Sequence, residues 1–323
     1  MNTILGKIAP IIKLLGEFMD AAKYIWMNGE FVAWEDAKVH VLSHTIHYGN
    51  GVIEGTKAYK TEKGYAIFRL NEHTKRLKES AKMTLIDIPY SVEEMNQAQI
   101  DLVKRNEFTG DNVYIRPFAF LGYGVMGVYH KDAPVETVMS AWEWGAYLGE
   151  EGLQKGIKLK IASMTRPANT SNMGKAKATA NYLNSQMAKY EAIDCGYDEA
   201  LLLDDQGYVA EASGASFFMV VNGVIVTPPS DNALVSITQK TVIEVAQDMG
   251  YKVERRRISR EEVYIADEAF LTGTAAEITP VRIVDAREIG SGSRGPITEK
   301  IQSTYFDIVF GRNAKYEHYL TYV

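Results

Sequence analysis

Apolar and polar residues alternate in short segments over much of the first 145 residues, a pattern typical of half-buried β-strands. The first two segments flank Asn28-Gly29, a dipeptide that favours the tight turn of a hairpin. Two longer segments instead repeat apolar residues every three or four positions, as amphipathic helices do. The pattern predicts strands over 24–33 (a hairpin), 39–42, 52–59, 65–69, 112–123 and 137–144, and helices over 73–83 and 92–106.

The same mixture of patterns continues after a glycine-containing segment at residues 145–149. It predicts strands over 158–163, 199–203, 216–221, 224–227, 252–257 and 268–272, and helices over 178–190, 238–249 and 296–310. Strands and helices that interleave in both halves predict an α/β or α+β fold with two domains. We expect an N-terminal domain over 24–145, a connection over 146–156 and a C-terminal domain over 157–323.

A stripe of large apolar residues at helical spacing precedes the first hairpin. Its members are Ile4, Leu5, Ile8, Ile11, Ile12, Leu15, Phe18 and Met19. Lys7, Lys13 and Glu17 interrupt every apolar run, which argues against a membrane span or the apolar core of a signal peptide. We expect residues 1–23 to form a helical extension that packs on the body of the protein or on another subunit.

The composition is that of an ordinary globular protein, since 46% of the 323 residues are apolar and 24% are charged. The net charge of −6 argues against a general electrostatic role on nucleic acid or anionic lipid. Cys195 is the only cysteine, which excludes an internal disulfide framework and a zinc site built on several cysteines. We therefore expect a reducing, cytoplasmic compartment.

Two glycine-rich segments, Gly122–Gly127 and Gly290–Gly295, match the Gly-x-Gly-x-x-Gly pattern of dinucleotide-binding folds. No helical pattern follows the first segment, and too few residues follow the second to complete a βαβ unit. A nicotinamide-dependent dehydrogenase is therefore disfavoured.

His44 and His47 lie three residues apart, a spacing that can suggest a metal site. The segment around them predicts strand and turn, so we do not expect both imidazoles on one helix face. No His-Glu-x-x-His pattern occurs in the chain. We expect structural histidines near a domain or subunit contact and no metal.

The segment Gly174–Leu183 contains Lys175 and Lys177 among small residues, just before a predicted helix. A lysine in such a place can approach a planar ligand and act as a Schiff-base nucleophile, although most lysines beside alanine are simply solvated. Glu211 follows in another small-residue segment, predicted as a turn between strands. A buried carboxylate there would need a cationic partner, and a protonated pyridine nitrogen would serve.

Three further features suit a phosphate group. We expect Thr238 to cap a helix and residues 272–276 to form a loop of small residues, and both could offer backbone amides and hydroxyls. Arg69, at the end of a predicted strand, could add a guanidinium group. A lysine, a remote carboxylate and such phosphate-binding elements are together the parts of a pyridoxal phosphate site.

From about Tyr24 onward the chain resembles the branched-chain amino acid aminotransferases, which are fold type IV pyridoxal-phosphate enzymes. The matching segments are Val39–His44, His47–Gly49, Glu54–Tyr59, Phe68–His73, Tyr114–Pro117, Trp144–Gly149, Lys177 with Asn181–Leu183, Gly207–Glu211, Thr227–Pro229 and Gly273–Pro280. The resemblance implies a smaller N-terminal α/β domain, a larger C-terminal domain with a barrel-like sheet, and a homodimer or a hexamer built from dimers.

The resemblance also implies a role for each site residue. Lys177 would hold pyridoxal phosphate and transfer protons, Glu211 would pair with the pyridine nitrogen, and Tyr182 would bind the phenolic oxygen. The phosphate would be bound by Arg69, Ile237, Thr238 and Thr274. The substrate pocket would be lined by Tyr48, Tyr114, Arg116, Met126, Val128, Trp144, Tyr147, Ala275 and Ala276.

The implied activity is transfer of the amino group of L-leucine, L-isoleucine or L-valine to 2-oxoglutarate. A D-amino acid aminotransferase or an aminodeoxychorismate lyase of the same fold is the alternative, and residues 114–116 and 144–149 favour the branched-chain type. The chain departs from the family pattern at Ile53, where phenylalanine is common, and at Ala212 and Ser216, which replace a glycine and an asparagine. We expect these changes to reshape the pocket locally and to leave the central machinery in place.

Overall fold

The computed structural model describes residues 21–129 and 131–323, which form two β-sheets flanked by helices. The apolar stripe predicted over residues 4–19 therefore lies outside the described residues. No helix in the described ranges is both long and apolar enough to cross a lipid bilayer.

The first sheet is antiparallel and, within residues 21–129 and 131–323, has eight strands. These are β1 (Tyr24–Met27), β2 (Glu30–Ala33), β3 (Gly51–Ile53), β4 (Thr56–Thr61), β5 (Gly64–Phe68), β6 (Asn112–Leu121), β7 (Val135–Glu143) and β17 (Leu320–Tyr322). Their order is β17-β5-β4-β6-β7-β1-β2, with β3 paired to β6. The final strand of the chain thus completes a sheet that is otherwise built from the N-terminal half.

The second sheet is mixed and has nine strands among the described residues. They are β8 (Ile157–Ile161), β9 (Glu199–Leu203), β10 (Val209–Ala212), β11 (Ser216–Val221), β12 (Val224–Thr227), β13 (Val253–Arg255), β14 (Glu268–Gly273), β15 (Glu277–Val284) and β16 (Arg287–Glu288). Their order is β10-β9-β8-β15-β14-β11-β12-β13, with β16 paired to β15. The pairs β8–β9, β8–β15 and β12–β13 are parallel.

Helices cover both sheets. They are α1 (His44–Tyr48), α2 (Leu70–Met83), α3 (Val92–Asn106), α4 (Glu150–Lys155), α5 (Tyr182–Asp194), α6 (Ile237–Asp248), α7 (Arg260–Tyr264) and α8 (Pro296–Val309), with 3₁₀ turns at Trp34–Asp36, Thr179–Asn181 and Ala314–Tyr319. Helices α2 and α3 pack on the first sheet, and α6 and α8 pack on the second. A shared apolar cluster that includes Phe68, Phe218, Phe270 and Tyr305 joins the two sheets.

The predicted fold class is confirmed, because strands and helices interleave around two sheets. The predicted strand over 39–42 is wrong, since these residues form no strand and the next residues form the short helix α1. His44 and His47 therefore do share a helix, but their side chains meet different carbonyls, those of Gly127 and Val41. The described ranges hold no group of three or more His, Cys, Asp or Glu residues suited to a metal ion.

The predicted strand over 52–59 is divided in two, because Glu54 and Gly55 leave the strand geometry between β3 and β4. Tyr114 of the neighbouring strand passes close to Gly55. A Cβ atom on Gly55 would lie 1.9 Å from Tyr114 Oη, so only glycine fits there. This interruption places Glu54 at the wall of the cavity described in the next subsection.

The elements that were not predicted are α1, α4, α7, β10, β15, β16 and β17. Strand β15 contains Pro280, a residue that normally argues against a strand inside a sheet. Helix α4 lies within the predicted connection at residues 146–156. The domain boundaries themselves stay a prediction.

Candidate active site

A cavity of about 540 Å³ is lined by residues of both sheets. The first sheet contributes Tyr114 and Arg116 from β6, and the second contributes Glu211 from β10 and Thr272 from β14. The segment that contains Lys177 closes one side of the cavity. The site is thus assembled from parts of the chain that are far apart in sequence.

Lys177 is fixed through its backbone. Its amide nitrogen donates to Ser80 Oγ at 3.1 Å, and its carbonyl oxygen accepts from the Ile53 amide at 2.9 Å. Both contacts come from elements packed in the N-terminal half, α2 and β3. Lys175, two residues earlier, is exposed and does not line the cavity. The structure therefore brings Lys177, and not Lys175, to the site.

The Lys177 amine faces Tyr182, with Nζ 5.7 Å from the centroid of the phenol ring. Burial alone would lower the pKa of Lys177, but Tyr182 and Glu54 outweigh it, and the pKa of Lys177 is raised. These two neighbours therefore favour the charged form of the amine.

Glu211 is the carboxylate of the cavity. Its Oε1 lies 2.9 Å from Nη2 of Arg166, whose Nη1 also donates to Ser185 Oγ at 3.3 Å. Burial raises the pKa of Glu211, and the positive charges of Arg166 and Lys177 oppose that rise without cancelling it. A further cation beside Glu211 would complete the compensation of its charge.

A second buried carboxylate, Glu54, anchors an arginine at the cavity wall. Arg76 donates to both carboxylate oxygens of Glu54, from Nε at 2.7 Å and from Nη2 at 2.6 Å. His73 Nδ1 lies 3.1 Å from Glu54 Oε1. Burial alone would raise the pKa of Glu54, but Arg76 and His73 outweigh it and hold that pKa well below its usual range. The bidentate pair fixes the Arg76 guanidinium in one orientation.

Arg76 lies against the beginning of helix α6. Its Nη1 donates to the Val235 carbonyl at 2.9 Å, just before the helix. Ser236 caps the helix, since its Oγ accepts from the Gln239 amide at 3.1 Å. The prediction that Thr238 caps this helix is therefore wrong, because Thr238 lies inside the first turn. A guanidinium and the free amides of a helix N-terminus here form an environment suited to an anion.

The opposite wall is aromatic and carries one further arginine. Tyr114 contacts Trp144, with ring centroids 4.9 Å apart, and Trp144 contacts Tyr147 at 5.4 Å. Arg116 Nη2 donates to Tyr114 Oη at 3.1 Å, as expected for residues two apart on one strand face. Burial, helped by Glu199, raises the pKa of Tyr147 to about 12, so this phenol stays neutral.

Residues 51–284 match the family model for amino-transferase class IV. The chain belongs to the class IV aminotransferases. The family resemblance found in the sequence is therefore confirmed.

Among the similar proteins are branched-chain amino acid aminotransferases. The branched-chain-amino-acid aminotransferase of Pseudomonas aeruginosa is 49% identical over 299 residues, which are 93% of this chain and 97% of that protein. The T.th. branched-chain amino acid aminotransferase in complex with N-(5'-phosphopyridoxyl)-L-glutamate has a TM-score of 0.88 at 47% identity. Its complex with 4-methylvaleric acid also has a TM-score of 0.88, at 46% identity. Both structural matches cover 93% of this chain and 98% of the other chain.

Most of the site residues predicted from the sequence line the cavity of this class IV aminotransferase. They are Tyr114, Arg116, Trp144, Tyr147, Lys177, Tyr182, Glu211, Ile237, Thr238, Thr274 and Ala275. Glu211 lies on strand β10 and not in the turn predicted for it. The roles assigned to these residues stay predictions.

Arg69 is not at the cavity, contrary to its predicted place at the phosphate. It takes a left-handed backbone conformation before α2, and its side chain turns away. The guanidinium donates to Glu72 and, at 2.6 Å, to Thr241 Oγ1, and it stacks over Tyr319. Through these contacts Arg69 links α2 to α6.

Four residues predicted in the substrate pocket also lie outside this cavity. Tyr48, Met126 and Val128 are on the surface, with exposed fractions of 42%, 47% and 88%. Ala276 is buried behind the turn, and its carbonyl accepts from Thr279 Oγ1 at 2.7 Å. The turn offers the cavity Thr274 and Ala275 only.

Arg76, Glu54 and Arg166 were missed as site residues in the sequence. A signal for Arg76 existed, because His73, Arg76 and Ser80 follow the i, i+3, i+7 spacing of one helix face and give that face a buried polar stripe. Arg166 lies in an irregular segment between β8 and α5, where no periodic pattern could indicate its direction.

Burial of neutral His73 predicts a loss of stability in mild acid. Burial lowers the pKa of His73, although Glu54 opposes this, so the unfolded chain binds a proton at pH values where the folded chain does not. As the pH falls below about 6.5, unfolding should be favoured by up to about 1.4 kcal/mol per pH unit. His73→Gln should remove this part of the dependence.

Urea unfolding at about pH 7.5 and about pH 5.5 measures the effect. The exposed His318 offers a matched control, because His318→Gln should keep the pH dependence of the unmodified protein. An equal loss of stability on acidification in His73→Gln would contradict this account.

Proposed function

We propose that this protein transfers the amino group of L-leucine, L-isoleucine or L-valine to 2-oxoglutarate, using pyridoxal 5'-phosphate. The observation that carries the proposal is the arrangement of Lys177, Glu211 and Arg76 around one cavity. An amine, a carboxylate and a guanidinium at separate points match the aldehyde, the ring nitrogen and the phosphate of this cofactor. The relatives at 47–49% identity carry the branched-chain aminotransferase name.

The residues of the cavity fit this cofactor. Glu211 would pair with the pyridine nitrogen and supply the partner that its buried charge requires. Tyr182 would bind the phenolic oxygen. Thr272 Oγ1 and Arg166 Nε line or adjoin the cavity and are buried without a hydrogen-bond partner in the described chain, as expected where a polar ligand belongs.

For the phosphate we propose Arg76 in place of Arg69. Arg76 lies beside the N-terminus of α6, where the amides of Ile237 and Thr238 are available, and Thr274 lines the same cavity. Glu54 accepts from Nε and Nη2 of Arg76 and the Val235 carbonyl accepts from Nη1, so the guanidinium is already fixed in one orientation and loses little entropy on binding an anion.

Bound pyridoxal phosphate supplies an electron sink for the bonds at the substrate Cα. Lys177 would hold the cofactor through its amine and would serve as the acid and base for the proton at the substrate Cα. Glu211 would pair with the ring nitrogen and favour its protonated form. The aromatic wall of Tyr114, Trp144 and Tyr147 excludes water from the reacting atoms and contacts the aliphatic side chain.

A direct assay tests the proposed activity. The purified protein supplied with pyridoxal phosphate should form L-glutamate from L-leucine and 2-oxoglutarate. D-Leucine should give little or none, which separates this function from a D-amino acid aminotransferase on the same fold. Turnover of D-leucine at the rate of L-leucine would contradict the assignment.

We also propose that the protein is a homo-oligomer whose subunits share each site. Tyr48, Met126 and Val128 are exposed on one chain although the resemblance implies that they line a substrate pocket. If these three side chains reach the cavity of a second copy, they can be exposed on their own chain and still line a substrate pocket. The exposed apolar residues around them, among them Val41 and Tyr129, are the type of surface that protein contacts cover.

Complementation tests the shared site. Lys177→Ala and Val128→Asp should each have little activity, and a refolded mixture should regain part of it. A mixed dimer then contains one site with Lys177 from one copy and an intact Val128 from the other. The unmodified protein should sediment as a dimer or a larger species, and a monomer with full activity would contradict the proposal.

The lysine assignment predicts a sharp contrast between neighbours. Lys177→Ala should abolish turnover, because no other lysine within residues 21–129 and 131–323 lines the cavity, whereas Lys175→Ala should keep most of it. Borohydride reduction of the cofactor-loaded protein followed by peptide mapping checks this directly. A label on Lys175 would overturn the assignment.

The phosphate assignment predicts a second contrast. Arg76→Lys keeps the charge but loses the two-pronged guanidinium, so cofactor affinity should fall by about tenfold or more. Arg69→Lys should leave cofactor affinity within about twofold, because Arg69 contacts α6 and not the cavity. Equilibrium dialysis with pyridoxal phosphate measures both, and a reversed order would restore Arg69 to the site.

Arg116 predicts how one pocket accepts both leucine and glutamate. Its Nε is buried without a hydrogen-bond partner among the described residues, so the guanidinium can still meet a side-chain carboxylate. Arg116→Met should slow the half-reaction with glutamate much more than the half-reaction with leucine. Single-turnover rates for each half-reaction decide the point, and an equal loss in both would make Arg116 a packing residue.

A further inference from the structure

The turn at the cavity ends on a residue in a conformation that side chains disfavour. Residues 274–276 connect Gly273 to Glu277, which face each other across the β14–β15 hairpin. Glu277 has a φ angle of 52°, in the left-handed region that glycine occupies most easily. A glutamate held in this conformation indicates that its side chain has a use that offsets the strain.

The Glu277 side chain forms a buried ion pair with the other sheet. Its Oε1 accepts from Lys57 Nζ at 2.7 Å and from Tyr59 Oη at 3.1 Å. The Lys57 and Glu277 side chains are only 3% and 4% exposed. Lys57 and Tyr59 belong to β4 of the first sheet, whereas Glu277 begins β15 of the second.

Both ends of this ion pair adjoin the cavity. On one side, Thr274 and Ala275 of the turn that Glu277 closes line the cavity. On the other side, Lys57 is directly paired in the sheet with Tyr114, a residue of the aromatic wall. The pair therefore links the backbone of the turn to the strand that pairs with Tyr114.

Stability alone is a poor explanation for such a pair. Taking two charges out of water costs about as much as their attraction returns, and apolar replacements of buried ion pairs are often neutral or stabilising. This pair also holds Glu277 in a left-handed backbone conformation, so we attribute to it a role in positioning the backbone of the turn.

We infer that Lys57 and Glu277 are positioning residues that hold the turn at residues 274–276 against the aromatic wall, so that its backbone amides meet the α-carboxylate of the substrate. The inference rests on the proposed function, because it concerns how that site binds an amino acid. Neither Lys57 nor Glu277 lines the cavity. They act by fixing the position of the backbone amides that bind the carboxylate.

The double variant Lys57→Met/Glu277→Gly separates position from stability. It removes both buried charges and relieves the backbone strain, so its unfolding midpoint should equal or exceed that of the unmodified protein. Its affinity for 4-methylvalerate, which has the leucine skeleton and carboxylate but no amino group, should fall by about tenfold or more. The KM for leucine should rise in parallel, with kcat changed much less.

Two variants serve as controls on the cofactor-loaded protein. Lys57→Arg, made with Glu277 intact, retains the ion pair and should keep most of the affinity of the unmodified protein for 4-methylvalerate. Glu268→Gln alters a buried carboxylate in the same hairpin, which caps α8 by accepting from the Thr298 amide at 2.7 Å and its Oγ1 at 2.6 Å. It should lower stability and leave the affinity for 4-methylvalerate unchanged.

The results distinguish the possible accounts. Unchanged binding of 4-methylvalerate by the double variant would overturn the inference, as would an equal weakening in Glu268→Gln. If the double variant does not fold, Glu277→Gln decides, and there again weaker binding at similar kcat supports the inference and unchanged binding overturns it. Failure of the unmodified protein to react with leucine would instead contradict the proposed function.

Discussion

Charge that is taken out of water must be matched by charge, and this constraint shapes the cavity more than any other. The charge of Glu54 is matched by Arg76, with an added hydrogen bond to His73, and the charge of Glu211 by Arg166. Each pair joins elements that are distant in sequence, so the pairs also determine which segments meet. Lys177 lies between the two pairs, where Glu54 favours its charged form.

The two carboxylates are matched to different degrees, and the difference has a chemical consequence. Glu54 is fully compensated and its pKa lies far below the usual range, so it serves as an anchor for Arg76. Glu211 has only one guanidinium close to it, and burial still raises its pKa. An additional cation would therefore be stabilised beside Glu211 more than beside Glu54.

The sequence predicted local structure well wherever local contacts decide it. Helix α3 has the bounds that its periodicity predicts. Its start is fixed locally, because Ser91 and Glu94 form a capping box there. Strand β15 was missed because Pro280 is unusual inside a sheet, and pairing with its neighbours β14, β8 and β16 holds it there. The Lys177, Glu211 and Tyr182 positions could be predicted because their sequence segments match a family pattern.

The arginine that we propose for the phosphate could not be predicted from the same information. Arg69 and Arg76 lie in one helical segment, and the choice between them depends on the backbone at the helix start. Arg69 has a left-handed conformation that turns its side chain to Thr241, whereas Arg76, two turns later, points into the cavity. Similarly, no local pattern reveals that Tyr48, Met126 and Val128 lie on the surface of their own chain.

We propose that this cavity carries an amino group between two substrates on a cofactor held by Lys177. The visible absorbance spectrum of the purified, cofactor-loaded protein tests this proposal. We expect an absorbance band from the covalently held cofactor that disappears on addition of L-leucine alone and returns on addition of 2-oxoglutarate. A band that is absent, or that L-leucine leaves unchanged, would contradict it.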